Sequence, residues 1–228
     1  MMSKTPIALV TGFEPFGGYA INPSAEIAKA LDGATIADSR IVGRVLPVDL
    51  ARLDGRLEKI LADLEHPPVA VIALGLAAGE PVVRLERVAV NLADFEIADN
   101  AGRTASDREL TPGGPAARNT RLPLDAIQWA LLDAGIPARF SNSAGTYLCN
   151  AAMYRLLETL PARVRCGFIH LPSLPAEVAG HIARAPRATR EGGLQQLASM
   201  HLVTQRKAVE IALATTLATP TKGRPPRA

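Results

Sequence analysis

Cys149 stands in Ser143-Ala144-Gly145-Thr146-Tyr147-Leu148-Cys149-Asn150, where an extended run (Ala138 to Asn142) gives way to a helical pattern. Leu148, Ala152, Leu156 and Leu160 recur at helical spacing, and Pro161 closes the segment. A thiol in the first turn of a helix meets unpaired backbone N–H groups and the positive end of the dipole, and both favour the thiolate nucleophile. A buried cysteine acting as a small hydrophobe is the competing interpretation. Of the four histidines, His170 alone ends an apolar strand pattern, in Gly167-Phe168-Ile169-His170-Leu171-Pro172. His66 falls in a turn, His181 in a segment without clear structure and His201 inside a helical pattern. An imidazole near a thiol makes a general base, and a carboxylate would then fix its tautomer.

Asp49, Asp94, Asp99 and Glu86 all fall near element ends or in loops, so the acid is open on position alone. In Val83-Arg84-Leu85-Glu86-Arg87-Val88-Ala89-Val90-Asn91, alternation puts Glu86 on the same face as Arg84, Val88 and Val90. A carboxylate on an apolar face needs a partner. Arg84 is the structural candidate, and the His170 imidazole the functional one.

The elements that must position these groups alternate between strand and helix along 228 residues. Strand patterns cover Ile7 to Thr11, Thr35 to Val48, Val69 to Leu74, Val82 to Leu92, Arg139 to Ser141 and Val164 to His170. Helical patterns cover Pro23 to Leu31, Leu50 to Leu64, Leu124 to Leu132, the cysteine helix and Gly193 to Leu217. Asn22 or Ser24 is positioned to cap the first helix. Ala93 to Arg121 is polar and rich in Asp, Asn, Gly and Pro, which predicts a long surface excursion. The expectation is a three-layer α/β/α sandwich with a mostly parallel sheet, one domain over residues 1–217 and a basic, Pro-rich disordered tail over 218–228.

Net charge is only +3, and basic residues intersperse with acids rather than clustering with aromatics, which argues against nucleic acid as partner. No apolar run reaches membrane-spanning length, and the first residues lack a cleavage-site pattern. The expected location is cytoplasmic, with both thiols reduced. Gly12-Phe13-Glu14-Pro15-Phe16-Gly17-Gly18 follows the first strand but fits neither dinucleotide nor P-loop spacing.

With Glu86, Cys149 and His170 in hand, the chain resembles the pyroglutamyl peptidase type I family of cysteine peptidases. Six segments in family order carry the likeness: Thr11 to Gly18, Asn22-Pro23-Ser24, Glu86 to Asn91, Ala98 to Gly102, Ala144 to Asn150, and Gly167 to Pro172. The resemblance implies removal of N-terminal pyroglutamate from peptides, with no metal and no organic cofactor, by a cytosolic homo-oligomer (dimer or tetramer). It implies Cys149 as nucleophile, His170 as general base and acid, and Glu86 as the group orienting the imidazole. Phe13 and Phe16 match substrate-pocket aromatics, and Asn22, Val48, Ile97, Tyr147 and Leu148 match further lining positions.

The chain departs from the family after the central strand. Where members usually carry a Gly-Gln-Ala-Gly-Gly-Arg-like run, this chain has Gly75-Leu76-Ala77-Ala78-Gly79-Glu80. Leu76 removes an amide from the expected lactam site, and Glu80 reverses a charge. Glu96 adds a second acid where arginine is common, so an acidic rim is expected if the two lie together. Two alternatives therefore stand beside the resemblance: a cysteine amidase of shifted specificity, and a catalytically silent binding homologue.

Overall fold

The computed structural model describes residues 4–184 and 198–218. Its centre is a seven-stranded sheet ordered β10 (Ala138–Ser141), β5 (Val83–Glu86), β11 (Arg165–Leu171), β4 (Ala70–Leu76), β1 (Ile7–Phe13), β3 (Ser39–Leu46) and β2 (Thr35–Ile36). β1 pairs in parallel with β3 and β4, β4 with β11, and β5 with β10. Two pairings are antiparallel, β5 with β11 and β2 with β3.

Strand alternation divides the core into two layers. Ile7, Leu9, Val42, Val71, Ala73 and Phe168 face one apolar cluster. There they meet Leu53, Leu57 and Ile60 of α2 (Leu50–Ala62) and Met153, Leu156 and Leu157 of α4 (Leu148–Thr159). Ala8, Val10, Ile41, Ile72, Leu74, Ile169 and Leu171 face the other cluster, under α1 (Pro23–Leu31), α3 (Leu124–Asp133) and α6 (Leu202–Ala218). This is the expected α/β/α sandwich. Each large apolar side chain buried under α4 contributes roughly 1.5–3 kcal/mol, so the cysteine helix is held by packing. Gly12 lets β1 approach α1, because a Cβ there would strike the Ser24 carbonyl.

Several boundaries differ from those read in the sequence. Val82 to Leu92 is not one strand: β5 ends at Glu86, and β6 (Val88–Val90) leaves to pair with β9 (Ala117–Asn119). Val88 and Val90 therefore do not continue the face of Glu86 in the main sheet. Alternation persisted across Arg87 because two short strands happen to share a phase. The polar excursion 93–121 carries three short strands, β7 (Ala93–Phe95), β8 (Ala105–Arg108) and β9, in two small ribbons. Pro175–Arg184 forms α5, so His181 is helical. Within the expected Gly193–Leu217 helix, 193–197 lie outside the described residues and 198–201 are not helical. His201 thus precedes α6, and its Nδ1 accepts a hydrogen bond from the Val203 N–H at 3.3 Å. Residues 219–228 of the expected tail lie outside the described residues, and Ala218 ends α6. Among the described residues, no helix is long and apolar enough to cross a membrane.

Candidate active site

The pairing of β5 with β11 brings acid and imidazole together. Phe168 stands opposite Glu86, and His170 opposite Arg84. Residues two apart on a strand share a face, so His170, Arg84 and Glu86 all point to the α4 side with Phe168. His170 Nδ1 lies 2.7 Å from Glu86 Oε1. Glu86 is fully buried and His170 is 5 % exposed. Of the four acids open on sequence grounds, Glu86 is the one on this imidazole. Asp49 caps α2 by accepting from the N–H groups of Ala51 and Arg52 at 3.0 and 3.3 Å. Asp99 accepts from the N–H groups of Leu50, Ala101 and Arg103. Asp94 is exposed.

Cys149 completes the group from α4, as a hydrogen-bond partner and electrostatic neighbour of His170. With Nδ1 committed to Glu86, Nε2 is the ring nitrogen left for the sulfur. Space for that sulfur comes from Gly75 on β4, which stands beside His170 in the sheet. A Cβ at Gly75 would lie 2.7 Å from Cys149 Sγ and 2.8 Å from Phe168 Cζ. Burial by itself would push the imidazole pKa down. The Cys149 sulfur and the Glu86 carboxylate outweigh it and raise His170 to about 9. Cys166 is the contrasting thiol, wholly buried in β11 and pushed up by desolvation to about 12.

Cys149 is the second residue of α4, and the N-cap residue Tyr147 makes no side-chain cap bond. The first-turn N–H groups are thus free of side-chain competition. Tyr147 is instead held by aromatic neighbours: its ring lies 4.7 Å from Phe95, edge to face, and 5.8 Å from Phe16. Its hydroxyl, raised by burial to about 12, donates to the Ala98 carbonyl at 3.3 Å.

The expected pocket residues divide by exposure. Phe16 and Tyr147 are half-buried and pack with Cys149 against the cluster that holds Phe13, Val48 and Leu148. Those three are nearly inaccessible, at 2 %, 1 % and 1 %. Ile97 is 68 % exposed on the loop that Tyr147 contacts. Asn22 is buried with its amide fully engaged. Oδ1 accepts from the Ser24 N–H and Oγ, and Nδ2 donates to the Glu14 carbonyl. It holds the Phe16 loop to α1.

Four contributors were missed by sequence reasoning or given a lesser part. Glu14 Oε1 accepts from the Val48 N–H at 3.0 Å and from Asn100 Nδ2 at 2.9 Å, stapling three loops. Asn150, fully buried, reaches the N–H and carbonyl of Val90 and the carbonyl of Leu92. Gly75 makes room for the sulfur. Arg84 adds its Nε 3.2 Å from Glu86 Oε1. Glu14, Gly75 and Asn150 lie inside or beside the quoted motifs, which was their available signal. Glu80 does not form an acidic rim: it binds Arg139 at 2.8 and 3.0 Å and Arg84 at 3.3 Å. Those cations hold its pKa below the usual carboxylate range, hydrogen bonding to Arg139 foremost. Glu96 is exposed at the end of β7. No cluster of three or more His, Cys, Asp or Glu side chains able to hold a metal occurs among the described residues.

Known proteins are similar to this chain in sequence and in fold. A family model described as pyroglutamyl peptidase matches residues 7–217. A pyrrolidone-carboxylate peptidase of Klebsiella pneumoniae is 43% identical over 211 residues, covering 92% of each chain. One from Pyrococcus furiosus is 44% identical over 179 residues, covering 77% of this chain and 85% of that protein. The structure of a variant pyrrolidone carboxyl peptidase from Pyrococcus furiosus superposes with a TM-score of 0.84 at 41% identity, covering 92% of this chain and 98% of that one. The Thermococcus litoralis pyrrolidone carboxyl peptidase gives 0.83 at 38% identity, covering 93% of both. With a thiol, an imidazole and a carboxylate joined on one sheet face, and this likeness running through nearly the whole fold, the chain belongs to the pyroglutamyl peptidase family of peptidases.

Proposed function

We propose that this protein removes N-terminal pyroglutamate from peptides through Cys149, His170 and Glu86, passing through a thioester. The observation that carries the proposal is the 2.7 Å contact between His170 Nδ1 and Glu86 Oε1, on an imidazole whose other side meets Cys149. Glu86 fixes the tautomer and supports the imidazolium as the Cys149 sulfur attacks the amide carbonyl. The oxyanion accepts from N–H groups at the uncapped start of α4. His170 then protonates the departing amine, and water, deprotonated by the same imidazole, hydrolyses the thioester.

The lactam is small, neutral and lacks an ammonium group, which suits a site of half-buried aromatics. Phe16 and Tyr147 supply that surface. The arginines on Glu80 compensate the charge of that acid, so it is a poor anchor for a free N-terminal amine. The reading extends to a cytoplasmic homo-oligomer. Two free thiols support the location, and Trp129 and Val203, 62 % and 69 % exposed, support an apolar contact between subunits.

A second reading, a cysteine amidase of shifted specificity, is favoured by Leu76. It puts a buried apolar side chain where the family's glutamine amide is expected, and a lost hydrogen bond of that kind costs roughly 0.5–1.5 kcal/mol. Hydrolysis of a pyroglutamyl-coumarin amide decides between them. Cleavage by the parent and its loss in Cys149→Ala supports the first. No cleavage, with a thiol-selective probe still labelling Cys149, supports the second.

A further inference from the structure

Glu86 Oε1 serves two partners. His170 Nδ1 is 2.7 Å away in a hydrogen bond and Arg84 Nε is 3.2 Å away in an ion pair without hydrogen-bond geometry, while Oε2 is buried without a hydrogen-bond partner. The Arg84 side chain, 21 % exposed, is held at its far end on three sides. Nη2 donates to Ser141 Oγ at 2.6 Å and to the Ser143 carbonyl at 2.8 Å, and Nη1 to Glu80 Oε1 at 3.3 Å. Ser141 and Ser143 belong to the segment leading into α4, and Glu80 to the loop after β4. Glu80 is in turn gripped by Arg139, which stands next to Arg84 in the sheet. The result is an unbroken file of alternating charge, Arg139, Glu80, Arg84, Glu86, His170, ending at the Cys149 sulfur.

We propose that Arg84 is a positioning residue for the triad: it holds the Glu86 carboxylate in place, and its cation opposes the proton on His170 to an extent set by Glu80 and Arg139 behind it. The inference rests on the roles given above to Cys149, His170 and Glu86. A fully buried carboxylate is costly, and a cation beside it offsets part of that cost. The same cation works against a second positive charge on the imidazole. Arg84 therefore acts twice, through geometry, because Ser141, Ser143 and Glu80 pin its fork so that Nε faces Glu86, and through charge by its field. Glu80, at the position where the family usually has arginine, partly screens that field. The titratable groups acting directly on His170 are Cys149 from α4 and Glu86 from β5; Arg84, also on β5, reaches it through Glu86, with Glu80 from the loop after β4 and Arg139 from β10 behind Arg84. Tyr147 stays neutral throughout the range of interest.

The test uses the full chain and two readouts. One is the pH profile of pyroglutamyl-coumarin amide hydrolysis. The other, which needs no substrate, is the pH dependence of Cys149 alkylation by iodoacetamide, with the wholly buried Cys166 as internal control. In Arg84→Gln, losing the cation strengthens the hold on the His170 proton, and the alkaline inflection moves to higher pH by at least about half a unit. In Arg84→Lys, charge remains while the fork is lost, so the inflection stays with the parent and turnover falls ~10-fold. Glu80→Gln unmasks Arg84 and moves the inflection the other way, to lower pH, by a smaller amount. Circular dichroism confirms folding. Glu80 is partly exposed, so its variant provides a test should Arg84→Gln not fold. Inflections that coincide with the parent, or that move in one direction in both neutral variants, overturn the proposal. If the inflections shift as expected but the amide is not cleaved, the lactam reading fails and the role of Arg84 stands. If His170→Ala retains the parent's alkylation inflection, the triad itself is wrong.

Discussion

Helices α1, α2 and α4 all start in the group of loops tied together by Glu14, Asp99 and Tyr147, yet they start differently. Asn22 caps α1 through the Ser24 N–H, and Asp49 caps α2 through Ala51 and Arg52. At the head of α4 stands Tyr147, whose side chain caps nothing. A Ser, Thr, Asp or Asn cap typically adds ~1 kcal/mol to a helix, so α4 forgoes stability that its neighbours take. What it gains is a set of unoccupied N–H donors beside a thiol. The missing cap alone is not diagnostic: α3 opens on Pro123, also without a side-chain cap, and presents no triad residue. The proposed chemistry requires the open helix start to coincide with His170 and Glu86.

Removing the imidazole tests that coincidence most severely. If the open helix start alone activated Cys149, His170→Ala would keep most of its turnover. The expectation is a loss of kcat/KM of about 10³-fold or more with an unchanged circular dichroism spectrum. Glu86→Gln keeps a hydrogen-bonding group on Nδ1 but removes the charge, so a loss of ~10²-fold is expected. Near-parent turnover in the glutamine variant would return Glu86 to a purely structural pairing with Arg84.

Gly75→Ala attacks the same meeting point without replacing any reacting group. Its Cβ would fall 2.7 Å from Cys149 Sγ and 2.8 Å from Phe168, so sulfur or ring must move. Displacing a nucleophile by about 1 Å costs ~10²-fold in turnover, and overpacking adds roughly 1–3 kcal/mol of destabilisation. Parent-like kcat would mean that the sulfur is not held where the triad needs it.

Much of this architecture was legible because helices and strands differ in period. Alternating apolar runs gave the layers, and the apolar stretch at Val69 to Leu74 marked a strand covered on both faces. The proposed triad was legible through residue type: a thiol at a helix start and a histidine at a strand end are unusual placements. The choice of Glu86 over three other acids was not decidable by position, since only the antiparallel register of β5 on β11 puts Glu86 beside His170. Register is a long-range property, invisible to local periodicity. The break at Arg87 was hidden for the same reason, because pairing partners distant in the chain, such as Val88 and Asn119, decide where β6 departs. Glu80 was read as a charge reversal able to form an acidic rim with Glu96, because its two arginine partners converge on it only in the folded sheet.

The capped end of the comparison is tested by Asn22→Ala. This removes the α1 cap and the tie to the Glu14 carbonyl, and should cost about 0.5–2 kcal/mol in urea unfolding. Turnover of the folded fraction should stay within a few-fold of the parent, since Asn22 is buried and engaged in holding a loop. A large fall in kcat with little loss of stability would instead make Asn22 a direct substrate contact.

The smallest expected effect concerns stability against pH, where the His170 imidazole and the Cys166 thiol part company. His170 is raised from 6.5 to about 9, so the stability it contributes is complete below pH 6.5 and is lost as pH climbs toward 9. Cys166 is raised from 9.0 to about 12, so its contribution is lost only above pH 9. Glu80 and Asp99 are both lowered, and what they contribute disappears instead as pH falls through the carboxylate range. Urea midpoints should therefore decline in two alkaline stages, the first on the order of 1 kcal/mol between pH 6.5 and 9. His170→Gln should flatten that first stage and leave the second intact. A single decline starting above pH 9, the same in both proteins, would show that the imidazole in the folded chain does not hold its proton more tightly than in the unfolded one, and the charged pairing with Cys149 and Glu86 would lose its support.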